Sequence, residues 1–451
     1  MNENISLRFL GGAGTVTGSK YLLRAFDKNI LIDCGLFQGL KNLRLINWEP
    51  FSVNPASIDL VLLTHGHLDH VGYLPRLAKE GFGREIWGTA PTLEIAKVIL
   101  EDSAKIQEEE AEHANKFGYS KHKKALPLYD LNDVKKTTPL FTSQPPNQWL
   151  TISDSIQVRF QNNGHIIGAT FIEIKAGEKI IVFSGDIGRI NDPLLYPPKL
   201  PQEADVLIIE STYGDRIHPT DSEEQLAQTI NGSSGTILIP SFAVERTQSL
   251  MFLLWKLRKR KAIQDIPVYM DSPMGRNVLE IFHHHPYWHK LSRNECTEMC
   301  DEIIRVRTHE ETLRLATDKK PKIIIAGSGM ATGGRILTYF EHYLENETCT
   351  ILLVGYQADG TRGRQLLEGA KEIKLRGKRY PVKATVRNIN GLSAHADQKE
   401  LLHWLSKLGK APDHIFITHG EPLASQTLRE KVKETYNWNA QIPNFNEVVE
   451  L

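Results

Sequence analysis

Short apolar runs that stop at a polar residue recur through the first half of this chain. Ile30-Leu31-Ile32 ends at Asp33, Leu60-Val61-Leu62-Leu63 at Thr64, Ile180-Ile181-Val182-Phe183 at Ser184, and Val206-Leu207-Ile208-Ile209 at Glu210. Runs this short and rich in β-branched residues predict buried strands. The alternating stretch Ile156-Gln157-Val158-Arg159-Phe160 predicts another. Residues 5–33 predict short strands around a glycine-rich turn. Gly11-Gly12-Ala13-Gly14-Thr15-Val16-Thr17-Gly18 invites a dinucleotide-binding reading, but Thr17 breaks the third glycine and Lys20 to Arg24 predicts a strand where a helix is required. A tight hairpin is the expectation. Leu74 to Ala78 and Thr92 to Glu110 predict helices.

The pattern changes after Glu210. Ile237-Leu238-Ile239, Val268-Tyr269-Met270, Ile323-Ile324-Ile325 and Ile351-Leu352-Leu353-Val354 predict strands, with helical segments such as Thr247 to Lys261 and Arg335 to Leu344 between them. Strands alternating with helices predict a parallel sheet covered on both faces. The expected organisation is a first domain over 1–210, an inserted α/β domain over 211–375, and a return to the first domain over 376–451. A site served from both sides of an insertion is expected in the cleft between the domains.

Composition narrows the function classes. Lys+Arg and Asp+Glu both total 54, so a polybasic coat is excluded and any polyanion must meet local patches. The start Met1-Asn2-Glu3-Asn4 lacks a leader pattern, and no apolar stretch approaches a membrane span. Four cysteines are too few for a disulfide framework in 451 residues, which predicts a cytoplasmic, reduced protein with no membrane partner. Cys296 and Cys300, four apart, are the weaker candidates for a separate metal site.

The candidate chemistry sits where strands run out. Thr64-His65-Gly66-His67-Leu68-Asp69-His70 places four metal-competent side chains directly behind an apolar run. They cannot all serve one tetrahedral ion, but His65 and His67 can face one ion while Asp69 and His70 face another. Asp33, His165, Asp186, Glu210 and His419 each follow or close a predicted strand. Strand ends are rigid supports from which several side chains can be aimed into one crevice. Imidazole and carboxylate donors without thiolate suit Zn²⁺ or Mn²⁺ in an open catalytic site.

With Asp33, His65-x-His67-x-Asp69-His70, His165 and Asp186, the chain resembles the metallo-β-lactamase fold. Glu210, His395 in Gly391-Leu392-Ser393-Ala394-His395 and His419 in Thr418-His419-Gly420 resemble the further motifs of the β-CASP nucleases, a group that includes RNase J and the pre-mRNA 3′-end endonuclease. Pro240 to Gln248, Asp271-Ser272-Pro273-Met274 and Ser328 to Arg335 extend the likeness, which covers Leu7 to about Leu428. The resemblance implies an α/β fold: a metallo-β-lactamase αββα sandwich carrying an inserted parallel-sheet β-CASP domain. It implies two Zn²⁺, with Mn²⁺ as the alternative. His65, His67 and His165 would hold one ion, Asp69, His70 and His419 the other, and Asp186 would bridge. Asp33 would orient a ligating histidine.

Two ions about 3.5–4 Å apart can activate a water and clamp both oxygens of a phosphodiester displacement. The departing sugar oxygen needs a proton, for which His395 is the candidate donor and Glu210 its orienting carboxylate. A lactam or thioester hydrolase needs neither. The expected function is therefore hydrolysis of single-stranded RNA, endonucleolytic or from the 5′ end, leaving 5′-phosphate and 3′-hydroxyl. The alternatives are a DNA-processing nuclease of the same superfamily, against which His419 argues, and a non-catalytic RNA-binding scaffold, against which the full ligand set argues. Arg246 and the loop Ser328-Gly329 to Arg335 are the expected substrate contacts, because a strand, a glycine loop and a helix start make an anion site. Arg335 and Ile336 replace the Lys and Ser/Thr of an ATP-binding loop. A homodimer remains open.

Overall fold

The computed structural model describes residues 5–117 and 124–451, so Met1-Asn2-Glu3-Asn4 lie outside the described residues. The chain forms two compact units, Met1–Ile217 with His395–Leu451, and His218–Ala394.

The first unit contains two sheets among its described residues. One has seven strands in the order Val448–Glu450, Ser6–Phe9, Tyr21–Ala25, Lys28–Ile32, Leu60–Leu62, Ile86–Gly88, Phe141–Ser143. The other has six, in the order His414–Thr418, Val206–Glu210, Lys179–Phe183, Thr170–Ala176, Ile156–Asn162, Leu150–Ser153. Ser6–Phe9 and Tyr21–Ala25 pair antiparallel, so the glycine-rich segment between them is a hairpin connection, as expected. The sheets face each other through one core that includes Phe9, Ile30, Ile32, Leu60, Leu62, Phe160, Ile172, Phe183, Ile208 and Phe416.

Period-two alternation sends the next residue of each strand to the outer face. There Leu31 and Val61 are also fully buried. The outer face of the six-stranded sheet buries Leu207 and Ile209 with Leu401, Trp404 and Leu405 of the helix Gln398–Leu405 and Leu428 of the helix Pro422–Tyr436. Strands covered on both faces read as continuous apolar runs, which is why they were visible in the sequence.

Register then decides what lies at the strand ends. Ile32 pairs with Leu62 in parallel, so Asp33 and Thr64 leave the sheet at the same end, where Thr64 N donates to Asp33 Oδ1. In the other sheet Phe183 pairs with Ile208 and Glu210 with Thr418, so Asp186, Glu210 and His419 leave at one edge.

The second unit is built on a wholly parallel six-stranded sheet, in the order Ile304–Arg305, Val268–Asp271, Lys322–Ala326, Thr236–Pro240, Thr350–Leu353, Thr385–Asn388. Its last strand shows where the sequence-based boundary at 375/376 departs from the structure. Thr385–Asn388 pairs with Thr350–Leu353, so this unit continues to Ala394. The polar hairpin Glu372–Leu375/Lys378–Pro381 looks like a linker in sequence, and the half-exposed edge strand behind it carries little apolar signal. The basic run Lys256 to Lys261 is an ion-paired surface: Lys256 and Arg260 meet Glu223, Arg258 meets Asp265 and Glu302, and Lys259 meets Glu298.

Candidate metal centre

Four turns and one short helix of the first unit deliver the site. Thr64–His67 leaves the strand Leu60–Leu62, and the chain at once enters the helix Leu68–Val71, which carries Asp69 and His70. Gly66 is required by packing, since a Cβ there would lie 2.6 Å from Ile95 Cγ2. Asp186 follows Lys179–Phe183 through Gly185, whose φ is +53° and whose Cβ would lie 2.7 Å from Thr64 Cβ. His165 follows Ile156–Asn162, and His419 follows His414–Thr418. Asp33 and His419 hold φ of 56° and 47°. Left-handed backbone at non-glycine residues costs on the order of 1–3 kcal/mol and persists where surroundings fix it.

The side chains converge on two positions that share Asp186. His67 Nδ1 lies 3.1 Å from both His65 Nε2 and His165 Nε2. Those two Nε2 atoms lie 3.5 and 3.6 Å from Asp186 Oδ2. At the second position His70 Nε2 is 3.3 Å from Asp186 Oδ1 and 3.3 Å from His419 Nε2. His419 Nε2 is also 3.3 Å from Asp69 Oδ2. Donors bonded to one tetrahedral ion at about 2.0–2.1 Å stand about 3.3 Å apart, so both clusters have the spacing a cation imposes. Among the described residues, every group of three or more converging His, Cys, Asp or Glu side chains contains Asp186. Cys296 and Cys300 form no such group.

The backing hydrogen bonds fix which nitrogens face inward. Asp33 Oδ1 accepts from Thr64 N and Oδ2 from Thr64 Oγ1, both at 2.8 Å. Oδ2 also meets His70 Nδ1 at 2.7 Å. A carboxylate only accepts, so His70 Nδ1 carries a proton and Nε2 is the nitrogen that faces the second position. His65 Nδ1 is held 3.0 Å from Thr64 Oγ1, whose own proton goes to Asp33, and the same logic turns His65 Nε2 inward. Asp186 Oδ1, though buried, has no hydrogen-bond partner among the described residues. A buried carboxylate among converging imidazole nitrogens is a donor set that fits a cation.

Charge follows the same division. Burial, with the neighbouring histidines, holds His65 and His165 well below the usual imidazole range and brings His67 to about 4. These are neutral lone-pair donors. Burial opposes protonation of His70 as well, but the Asp186 and Asp33 carboxylates outweigh it and keep that ring well above its ordinary value. Asp186 would be raised by burial; the rings of His419, His70 and His65 hold it well below the carboxylate range instead. Cys34 stays out of every cluster, its buried thiol pushed up to about 12.

Beside the cluster stands a third grouping of Asp186, Glu210 and His395. His395 Nδ1 is 3.3 Å from both Glu210 oxygens, and its Nε2 is 4.0 Å from Asp186 Oδ2. Backbone holds the pair in place. Ile187 N donates to Glu210 Oε1, and Ala396 N donates to Ile187 O at 2.7 Å. Burial would depress His395, but the charge and hydrogen bond of Glu210, with Asp186 and Asp69, raise it to about 9.

The second unit positions the remaining candidates. Arg246 opens the helix Arg246–Lys259, is buried, and its Nε has no hydrogen-bond partner among the described residues. Ser328 Oγ accepts from Thr332 N at 3.0 Å and Gly333 N at 3.2 Å, closing its own loop. Gly329 admits no side chain, with Phe242 2.5 Å from its ideal Cβ. Arg335 spends Nη1 on Asp271 and Thr312. Sequence reasoning missed Thr64 and Thr212. The only signal was a hydroxyl residue just after a strand end.

The chain matches the family model of the metallo-beta-lactamase superfamily over residues 13–231, the Beta-Casp domain over 247–366, and the Zn-dependent metallo-hydrolase RNA specificity domain over 379–443. It is 33% identical to Ribonuclease TTHA0252 of Thermus thermophilus across 91% of this chain and 92% of that protein. It is 29% identical to the transcription termination factor FttA of Methanocaldococcus jannaschii across 97% of this chain and 70% of that one. A crystal structure of a protein of unknown function from Enterococcus faecalis V583 shares the fold at a TM-score of 0.55 and 14% identity, covering 99% of this chain and 100% of the other. Fold, ligand cluster and matched domains together place the chain in the β-CASP branch of the metallo-β-lactamase superfamily, a group of metal-dependent hydrolases.

Proposed function

We propose that the chain is a metal-dependent ribonuclease that hydrolyses phosphodiester bonds of single-stranded RNA and leaves 5′-phosphate and 3′-hydroxyl ends. The observation that carries this reading is the Glu210–His395 pair standing against the same Asp186 that joins the two ligand clusters. Two Zn²⁺ or Mn²⁺ fit the donors, one on His65, His67 and His165, the other on Asp69, His70 and His419, with Asp186 between them. When bound, such ions activate water and neutralise phosphate charge.

The chain's own residues do the rest. Glu210 anchors His395 Nδ1, so Nε2 is the nitrogen that protonates the departing 3′-oxygen as the P–O bond breaks. The same carboxylate keeps the ring charged at neutral pH. Arg246, buried with an unpaired Nε, is the proposed phosphate contact of the second unit, together with the Ser328-Gly329 loop and Arg335. Ile336 following Arg335 leaves an ATPase without support.

The test uses one RNA labelled at either end, and DNA of the same sequence, with Zn²⁺ or Mn²⁺. Cleavage of RNA with 5′-phosphate products supports the reading, and mononucleotides or internal fragments report the mode. Equal cleavage of DNA would replace it with the DNA-processing alternative.

A further inference from the structure

Each inward-facing histidine of the second position leans on a partner at its back, and the two partners differ in kind. His70 leans on the Asp33 carboxylate, which can only accept. His419 leans on the hydroxyl of Thr212, with Oγ1 3.1 Å from Nδ1. That same hydroxyl lies 3.2 Å from the His419 carbonyl oxygen, a second group to which it can donate. Thr212 comes two residues after Glu210, and its backbone N–H reaches Glu210 Oε2 at 3.3 Å, so the turn is tied to the acid–base pair as well.

A hydroxyl has one proton and two lone pairs, so it can serve either side of an imidazole. With no cation, His419 Nε2 sits 3.3 Å from Asp69 Oδ2 and can donate to it, while Nδ1 accepts from Thr212. For a cation to take Nε2, the ring's proton must sit on Nδ1. Thr212 accommodates that arrangement without moving: it accepts from Nδ1–H and turns its own proton to the carbonyl. Asp186 Oδ1 lies 3.4 Å from Nδ1, yet it forms no hydrogen bond among the described residues. Thr212 is thus the hydrogen-bond partner found for that nitrogen.

From this geometry we infer that Thr212 is a positioning residue for the second cation, holding the His419 ring so that Nε2 faces that position. The inference rests on the paired-cation reading above. It also predicts an asymmetry. His70 is locked in the metal-ready tautomer by a carboxylate, whereas His419 is switched into it through a neutral hydroxyl, so the second cation depends on a single replaceable oxygen.

The test is a Zn²⁺ titration of the metal-free full chain against a chelating dye, comparing wild type, Thr212→Val and Thr212→Ser. The wild type is expected to take two equivalents. Thr212→Val should keep the first equivalent unchanged and weaken the second about 10- to 100-fold, the usual cost of losing a histidine's outer partner. Thr212→Ser, which restores the oxygen, should recover the second equivalent. Wild-type affinity for both equivalents in Thr212→Val overturns the role of Thr212. So does equal weakening of both equivalents in Thr212→Val with no recovery in Thr212→Ser, which would mark general damage to the fold. A wild type that binds one equivalent overturns the paired-cation reading and, with it, the second site that Thr212 is said to serve.

Discussion

Asp186 in the first unit and Asp271 in the second are both buried carboxylates, one just beyond a strand and the other closing one. Their surroundings differ completely. Both oxygens of Asp271 are used: Arg335 donates to Oδ1, while Thr312 Oγ1 at 2.7 Å and the Tyr339 hydroxyl at 2.6 Å donate to Oδ2. That carboxylate is neutralised by fixed donors, and it raises Tyr339, already pushed up by burial, far above the phenol range. Among the described residues the groups found around Asp186 are the imidazoles of His65, His70, His165, His395 and His419, with no arginine and no hydroxyl. The lesson is that a buried charge met by fixed arginine and hydroxyl donors is structural, and one met by converging imidazoles matches a cation seat.

Removing the charge of each carboxylate breaks the comparison most sharply. Asp186→Asn should lose metal at both positions and lower turnover by at least about a thousandfold, on the scale of a lost catalytic metal site, as read by metal content and RNA cleavage. Its metal-free form should unfold at nearly the wild-type midpoint, because little that holds the fold has been removed. Asp271→Ala should behave in the opposite sense. It strands Arg335 and should cost about 3–5 kcal/mol in denaturant unfolding, the range for removing one member of a buried pair, with metal stoichiometry kept. Loss of metal in both variants, or in neither, would erase the distinction.

His395 sharpens the comparison at smaller scale, because it touches Asp186 without belonging to either ligand cluster. His395→Ala should retain full metal content and lose about 10²–10⁴-fold in turnover, the range for a general acid. Near-normal cleavage would reject the assignment.

The smallest expected effect is the pH dependence of the metal-free protein. His395 has a folded pKa near 9 against an ordinary value of 6.5. A raised value means the folded state binds the proton more tightly, so this contribution to stability is fully present below about pH 6.5 and fades as pH rises through 9. The stability advantage of wild type over His395→Ala should therefore shrink between pH 6 and pH 9.5 in paired melts. An advantage that grows over that interval would contradict the Glu210 pairing.

Much of this was legible in the sequence because most of the candidate ligands lie just beyond a strand, and parallel register brings strand ends together. Asp33 and Thr64 leaving the sheet at the same end, and Glu210 beside Thr418, are direct consequences of that register. Thr212 was not legible, since it meets a histidine 207 positions away and hydroxyl residues are common after strands. Nor could sequence separate Asp186 from Asp271, because the difference lies in the back-side partners. The boundary of the second unit was set too early for a related reason: Thr385–Asn388 is an edge strand whose pairing, rather than its composition, assigns it.

The central claim is that Asp186 joins two cation positions. Anomalous diffraction at the zinc absorption edge, from crystals of the metal-loaded protein, tests it most directly. The account predicts two peaks about 3.5–4 Å apart on either side of Asp186, one against His65, His67 and His165 and the other against Asp69, His70 and His419. A single peak, or zinc bound elsewhere with Asp186 bare, would contradict it.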